Sequence, residues 1–327
     1  MREFGNRMVE IANGVDAALE IRLVRAEAGK RIITVRQDGT GEFKTVTDAV
    51  KSIPPGNSRR TIIKIGPGVY REKVLVDRSR PFVTFLGDPH AMAVITFDGT
   101  AAKFGTWNSA TVAVESQFFM AANIVFENSA PMPADGEEGG QAVAMRISGD
   151  KAAFYNCKFL GYQDTLLDDV GKHYFQDCFI RGSVDFIFGT GRSLYMKCEL
   201  HSVAKGITAL TAHGRLGKSD SGGFAFVNCV ISGSGSAYLS RAWKESSRVV
   251  FLYTYMGALV NPKGWDDKGF QDRQRTVYYA EYKCKGPGAN TGGRVKFGRQ
   301  LNDNQAQPYL SKTFIHATTW LLPPPSV

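Results

Sequence analysis

A short segment returns along the middle of this chain at unequal intervals, and that recurrence narrows the fold more than any other feature. Phe154-Tyr155-Asn156-Cys157-Lys158-Phe159-Leu160-Gly161 is followed by Phe175-Gln176-Asp177-Cys178-Phe179-Ile180-Arg181-Gly182, and similar segments are centred on Ala122, Cys198, Cys229 and Thr254. The steps between centres are 35, 21, 20, 31 and 25 residues. One short strand per copy, with length differences expelled into loops, points to a parallel β-helix whose coils contact only their neighbours. Propeller blades would keep a more even period. Small or thiol side chains at one spot in successive coils then stack as an interior ladder, so Cys157, Cys178, Cys198 and Cys229 are expected in the core, with a Cys198–Cys229 bridge left open.

The flanking segments agree with an all-β chain. Ile32–Val35, Thr61–Ile65, Lys73–Val76 and Phe82–Leu86 are β-branched or aromatic runs broken by Gly, Pro or Asp, interrupted by one helix near Val46 to Ile53. The 35 glycines and 13 prolines supply the many turns that short strands need. Before residue 31, the spacing of Met8, Val9, Ile11, Ala12, Val15, Ala18, Leu19 and Leu23 predicts one or two short helices that cap the fold. Residues 1–30 are thus read as a helical extension and 31–327 as one β-helix domain. The end of the chain, from Phe314 through Trp320 to Pro325, reads as a tail laid over the coils.

Asp164 and Asp185 each stand seven residues after a cysteine of the repeat, at Cys157 and Cys178. Equal offsets mean equal places in the fold. Adjacent strands lie about 4.8 Å apart, so two carboxyls at one place in neighbouring coils nearly touch, and one pKa is raised while the other stays acidic. Such a pair suits acid/base or nucleophilic chemistry. Carboxyls roughly 5 Å apart also suit a retaining glycosidase, and aspartates in a glycine-rich β protein commonly cap turns.

Charge and motifs narrow the partners. Forty basic against 31 acidic residues give a formal charge of +9, which favours an anionic partner or simply serves solubility. No apolar run is long enough to span a membrane, and the first 30 residues lack the apolar stretch of an export signal. The five cysteines form no Cys-x-x-Cys spacing, and the five histidines have no ligand spacing, so no metal or cofactor is expected. The glycine runs at 189–191 and 233–235 lack the lysine and the strand-to-helix context of phosphate loops, and read as turns.

Four elements carry a resemblance: Gln141-Ala142-Val143-Ala144-Met145-Arg146, Gly161-Tyr162-Gln163-Asp164-Thr165-Leu166, Asp185-Phe186-Ile187-Phe188-Gly189 and Tyr238-Leu239-Ser240-Arg241-Ala242-Trp243. In that order they resemble the signature motifs of pectin methylesterases, carbohydrate esterases built on a right-handed parallel β-helix. Gly68-Val69-Tyr70-Arg71-Glu72, Gly264-Trp265 and Gly286-Pro287-Gly288 extend the likeness over roughly residues 30 to 322. The resemblance implies hydrolysis of the C6 methyl ester of galacturonate in pectin without a cofactor or metal. Asp185 would be the nucleophile, Asp164 the general acid and base, and Gln141 and Gln163 the oxyanion donors. Arg241 would hold Asp185 ionised, while Trp243 and Trp265 would offer flat faces to sugar rings. It further implies a monomer acting on pectin in the extracellular cell wall, not on nucleic acid or a membrane, with a proteinaceous inhibitor as a further partner.

The chain departs from the family's Gly-Arg-Pro-Trp, having Ser240 and Ala242 around Arg241. Acidic residues at 135, 137 and 138 also add negative charge ahead of Gln141. A β-helix polysaccharide hydrolase and a catalytically impaired pectin-binding relative remain the alternatives. Paired glutamines suit an oxyanion at an acyl carbon, whereas an oxocarbenium-like centre wants negative charge.

Overall fold

The computed structural model of the chain describes residues 19–134 and 136–325, so the helical spacing read over Met8 to Ala18, and Asp135, lie outside the described residues. Strands three to five residues long, bounded by Gly, Asp or Asn, pair in parallel with their counterparts in the next coil. Arg31–Val35 lies on Thr61–Ile65 without a slip, and the same holds from Ala152–Tyr155 to Lys172–Gln176 and on to Arg192–Met196. The result is a right-handed parallel β-helix. Among the described residues eleven strands stack into one sheet and fourteen into a second, and the second folds in two where the long strands Glu199–His213 and Val230–Ala242 run across both of its halves.

Each corner of the first sheet is turned the same way. The residues Asn123, Asn156, Asp177, Lys197, Asn228, Tyr253 and Lys283 all hold a left-handed backbone, with φ between 47° and 59°. Asn and Asp tolerate that region better than other side chains, which explains their recurrence there. The next residue in each coil points inward, and the ladder is Ile124, Cys157, Cys178, Cys198, Cys229, Thr254 and Cys284. Ala122, aligned with the cysteines by sequence, sits two residues early: it pairs with Tyr155, so Ile124 is the residue level with Cys157. All five cysteines are free, including Cys198 and Cys229. Burial raises the thiols of Cys157, Cys178 and Cys198 well above their ordinary range, which keeps them protonated and inert.

Aromatic rings fill the interior at the coil spacing. Phe154, Phe175, Tyr195, Phe226 and Phe251 stack face to face with centroids 4.8, 4.5, 4.5 and 4.6 Å apart. The offset matches the strand separation, so one ring per coil builds a continuous column.

The described helix before the coils, Ile21–Ala28, does not close the end of the solenoid. It buries Leu23 and Ala26 against Phe82 and Phe118 on the outer face of the first sheet, where Glu20 N–H donates to Thr319 O of the tail at 2.9 Å. The end is closed by Val46–Lys51, which carries Val46, Ala49 and Val50 into the interior against the first strands of both sheets. Thr45 caps this helix by accepting from Asp48 N–H. The tail does lie over the coils, with Phe314, Ile315, Trp320 and Leu322 on the same outer face. No helix among the described residues is long and apolar enough to cross a membrane.

His213 ties two coils together from a fully buried position. Its Nε2 donates to Gly191 O at 3.2 Å, and Nδ1 accepts from the backbone N–H groups of Arg215 and Arg248, each at 3.3 Å. Burial pushes its pKa down to about 4, and a second proton would face those two donors. As pH falls below about 6.5 the unfolded chain takes up a proton that the folded protein refuses. The His213 contribution to stability is therefore complete above that pH and lost on the way to pH 4, on the order of 3 kcal/mol. Urea midpoints measured across this window should fall more steeply for the wild type than for His213→Gln; parallel curves would show that His213 does not set the slope.

Candidate active site

Asp164 and Asp185 occupy equivalent places in adjacent coils, as their equal offsets predict. Leu166 pairs with Ile187 two residues later, Asp164 N–H donates to Val184 O at 3.0 Å, and Asp185 N–H donates to Ala209 O of the following coil at 2.8 Å. Both aspartates adopt a left-handed backbone, with φ of 65° and 46°. The turn and the site are thus the same feature, and each carboxyl is thrust outward where the strand begins. Gly182 makes room for this: a Cβ there would stand 2.1 Å from Phe186 Cβ and 2.6 Å from Tyr162 O.

The two carboxyls open into a cleft of about 380 Å³ lined also by Gln141, Gln163, Arg241 and Trp243. Arg241 Nε donates to both Asp185 carboxylate oxygens at 2.8 Å, and its Nη2 makes a further short contact with Oδ2. Burial raises the pKa of Asp185, but the Arg241 guanidinium opposes it through charge and hydrogen bonds. Asp164 has no such bonds. Burial and then the neighbouring Asp185 charge raise it well above the usual carboxylate range, and the more distant Arg241 and Lys268 offset this only in part. Burial and the neighbouring charge thus favour the protonated form at Asp164, while the Arg241 guanidinium favours the anion at Asp185.

Gln141 and Gln163 stack on neighbouring coils, with Ala142 N–H donating to Gln163 O at 3.1 Å. Neither side-chain amide bonds to another described group, so both are free to donate into the cleft. The departures around Arg241 are accommodated. Ser240 is buried with its hydroxyl donating to Thr211 O at 3.1 Å, Ala242 is buried in the core, and Arg273 Nη1 donates to Ala242 O at 2.6 Å.

The two tryptophans part company. Trp243 stands at the cleft with its ring edge-on to Phe188, centroids 6.1 Å apart, and leans on Gly214, where a Cβ would come within 2.7 Å of the indole. Trp265, expected to face sugar, is 1% exposed and stacked on Tyr279 at 4.6 Å in the interior. Trp265 pairs with inward-facing Ser240, so strand alternation turns it away from the cleft. The other tryptophan at the cleft is Trp107, 43% exposed and backed by the Arg146 guanidinium at 4.3 Å. Phe188, Asp169 and Lys268 also line the cleft without having been singled out in the sequence. Phe188 stood within a motif, whereas Trp107, in the one-turn helix Trp107–Ser109, and Lys268, in a turn, belong to connections that carry no repeat. Among the described residues no three His, Cys, Asp or Glu side chains cluster where they could hold a metal ion.

The family model for Pectinesterase matches residues 32–318. The chain belongs to the pectinesterase family. Pectinesterase 2 of Olea europaea is 46% identical over 310 residues, covering 94% of this chain and 85% of its own. The solved pectin methylesterase from carrot superposes with a TM-score of 0.83 at 34% identity, over 88% of this chain and 94% of that one. A pectin methylesterase solved in complex with a hexasaccharide gives a TM-score of 0.76 at 28% identity, over 89% and 98% of the two chains. Pectinesterases are carboxylic ester hydrolases, and an ester is what an anion, an acid and two neutral donors around one cleft are equipped to open.

Proposed function

We propose that this pectinesterase hydrolyses the C6 methyl ester of galacturonate units in pectin through an acyl-enzyme on Asp185. The observation that carries this reading is the asymmetry of the acid pair: Asp185 is gripped by Arg241, while Asp164, beside it, has no such partner and burial pushes its pKa up. Asp185 attacks the ester carbonyl carbon, and the resulting oxyanion accepts from the Gln141 and Gln163 amides. As the intermediate collapses, the C–O bond to methoxide breaks and Asp164 gives it a proton, releasing methanol and leaving an anhydride. Asp164, now charged, takes a proton from water as the water oxygen attacks the galacturonyl carbon. Collapse restores Asp185 as an anion and frees the sugar carboxylic acid, which loses its proton to water. The uncharged amides fit an oxyanion, and the cation on Asp185 disfavours the cationic centre of glycoside cleavage.

We also propose that the protein acts as a monomer on pectin in the extracellular cell wall, with the cleft open to a proteinaceous inhibitor. Incubation with methyl-esterified pectin, assayed in parallel for methanol, reducing ends and unsaturated products, tests the reaction. Methanol alone is expected. New reducing ends without methanol would replace the esterase with a glycoside hydrolase.

A further inference from the structure

A second concentration of positive charge lies outside the cleft, on the outer face of the first sheet. Lys172, Arg192 and Gly223 pair in register where three successive strands begin, and Arg248 stands at the same level in the next strand, because Phe224 pairs with Val249. Strand alternation puts the three cations on the face that carries Tyr174, Leu194 and Val250. The row therefore follows the solenoid axis for three strand spacings, about 14 Å. Gly223 leaves a gap in it that the Arg248 side chain occupies, since a Cβ there would come within 2.6 Å of Arg248 Cδ. The cleft lining includes none of these residues.

The guanidiniums gather without carboxylates to neutralise them. Among the described residues the Arg192 side chain has neither an ion pair nor a hydrogen bond, and its Nε is buried while the group lies 5.2 Å over the Phe314 ring. Arg248 makes one long bond, from Nη1 to Ser221 O at 3.4 Å, and no ion pair. Behind them Arg215 is buried, with its nitrogens donating to the carbonyls of Asp220, Ser246 and Lys218. Burial and then the Arg248 charge lower the pKa of both Arg192 and Arg215. The acids nearby are spent: Asp150 pairs with Lys172 at 3.3 Å, and the Asp220 carboxylate holds its own turn by accepting from Gly222 N–H at 2.8 Å. Like charges drawn together without counter-ions form a receptor for an anion.

We infer that the row of Lys172, Arg192 and Arg248 is a second polymer-binding site, separate from the cleft, at which the protein holds fully de-esterified galacturonan. The inference rests on the pectin reading above. A compact anion would want its cations converged on one point, whereas these are laid out in a line, and a linear polyuronate presents carboxylates in a line to meet them. The planar fork of arginine takes a carboxylate through two parallel bonds, while a methyl ester offers only a weak neutral acceptor. The row thus tells product polymer from substrate polymer, and keeps the protein beside chains it has already de-esterified.

The test measures cosedimentation with insoluble polygalacturonate, alongside methanol release from a methyl-esterified trigalacturonide, for the wild type, the double variant Arg192→Gln/Arg248→Gln and the single variant Arg248→Gln. The short substrate reports on the cleft. The double variant should bind the polymer about tenfold more weakly and with a shallower dependence on salt, yet turn over the trimer within about twofold of the wild type. Arg248→Gln gives up one long hydrogen bond, so it keeps the fold and should still lose about threefold. Unchanged polymer binding overturns the inference, and so does an equal loss of trimer turnover, which would assign these arginines to holding the fold. Binding to polyphosphate as tight as to polygalacturonate, and lost in the same variants, would overturn the polyuronate assignment. A wild type that releases no methanol sinks the esterase reading, while polymer binding that still weakens in the variants upholds the row.

Discussion

Asp185→Asn should lower methanol release by on the order of 10⁴-fold or more while leaving the protein folded and able to bind de-esterified oligogalacturonide. The amide matches the carboxylate in shape but cannot attack the ester. Folding should survive because the left-handed turn at residue 185 suits Asn as well as Asp, and because the backbone bond to Ala209 O does not involve the side chain. Arg241 loses its charged partner, but its side chain reaches solvent through the cleft, so the cation is not trapped. Asp164→Asn should behave differently, losing about 10²- to 10⁴-fold because methoxide must leave without an internal proton donor. In the wild type, activity should fall on the alkaline side as Asp164 gives up the proton that burial and Asp185 help it keep, and that limb should vanish in Asp164→Asn. Residual Asp185→Asn activity above about one per cent would remove Asp185 as the nucleophile. An alkaline limb that persists without Asp164 would move the acid elsewhere.

The acid pair is legible in the sequence because the same 21-residue step separates Cys157 from Cys178 and Asp164 from Asp185, and a parallel stack turns equal spacing into contact. The same logic exposed the cysteine ladder, and it misplaced Ala122 because the preceding step includes a loop of different length that hides the slip of two residues. Trp265 was misread for a related reason. Its motif locates it near the cleft, but only the pairing of Trp265 with Ser240, rather than with Arg241, reveals that its side chain points inward. Trp107 and Lys268 belong to the connections between repeated strands, so no period in the chain marks them. Of the apolar positions read as helical before the coils, only Leu23 falls in the described helix Ile21–Ala28, whose docking on the outer face depends on contacts with Phe82, Phe118 and the tail.

The largest stability effect should come from outside the cleft, at Asp168. This carboxyl is fully buried, pairs with His173 Nδ1 at 2.5 Å and accepts from the Tyr195 hydroxyl at 2.6 Å, while His173 Nε2 stands 3.0 Å from Gly149 O. Both ring nitrogens of His173 therefore face oxygen, and the four residues link three successive coils through polar atoms in a dry interior. Asp168→Ala removes the shared acceptor and leaves His173 Nδ1 and the Tyr195 hydroxyl buried without partners, at an expected cost of about 3–5 kcal/mol in urea unfolding. Tyr195→Phe keeps the ring stacked between Phe175 and Phe226 and deletes only the hydroxyl, so about 1–3 kcal/mol should suffice. In the double variant the two losses should not add, because the hydroxyl no longer has an acceptor to lose. A cost below about 1 kcal/mol for Asp168→Ala, or strict additivity, would mean that water enters and satisfies these groups and that the network does not bind the coils together.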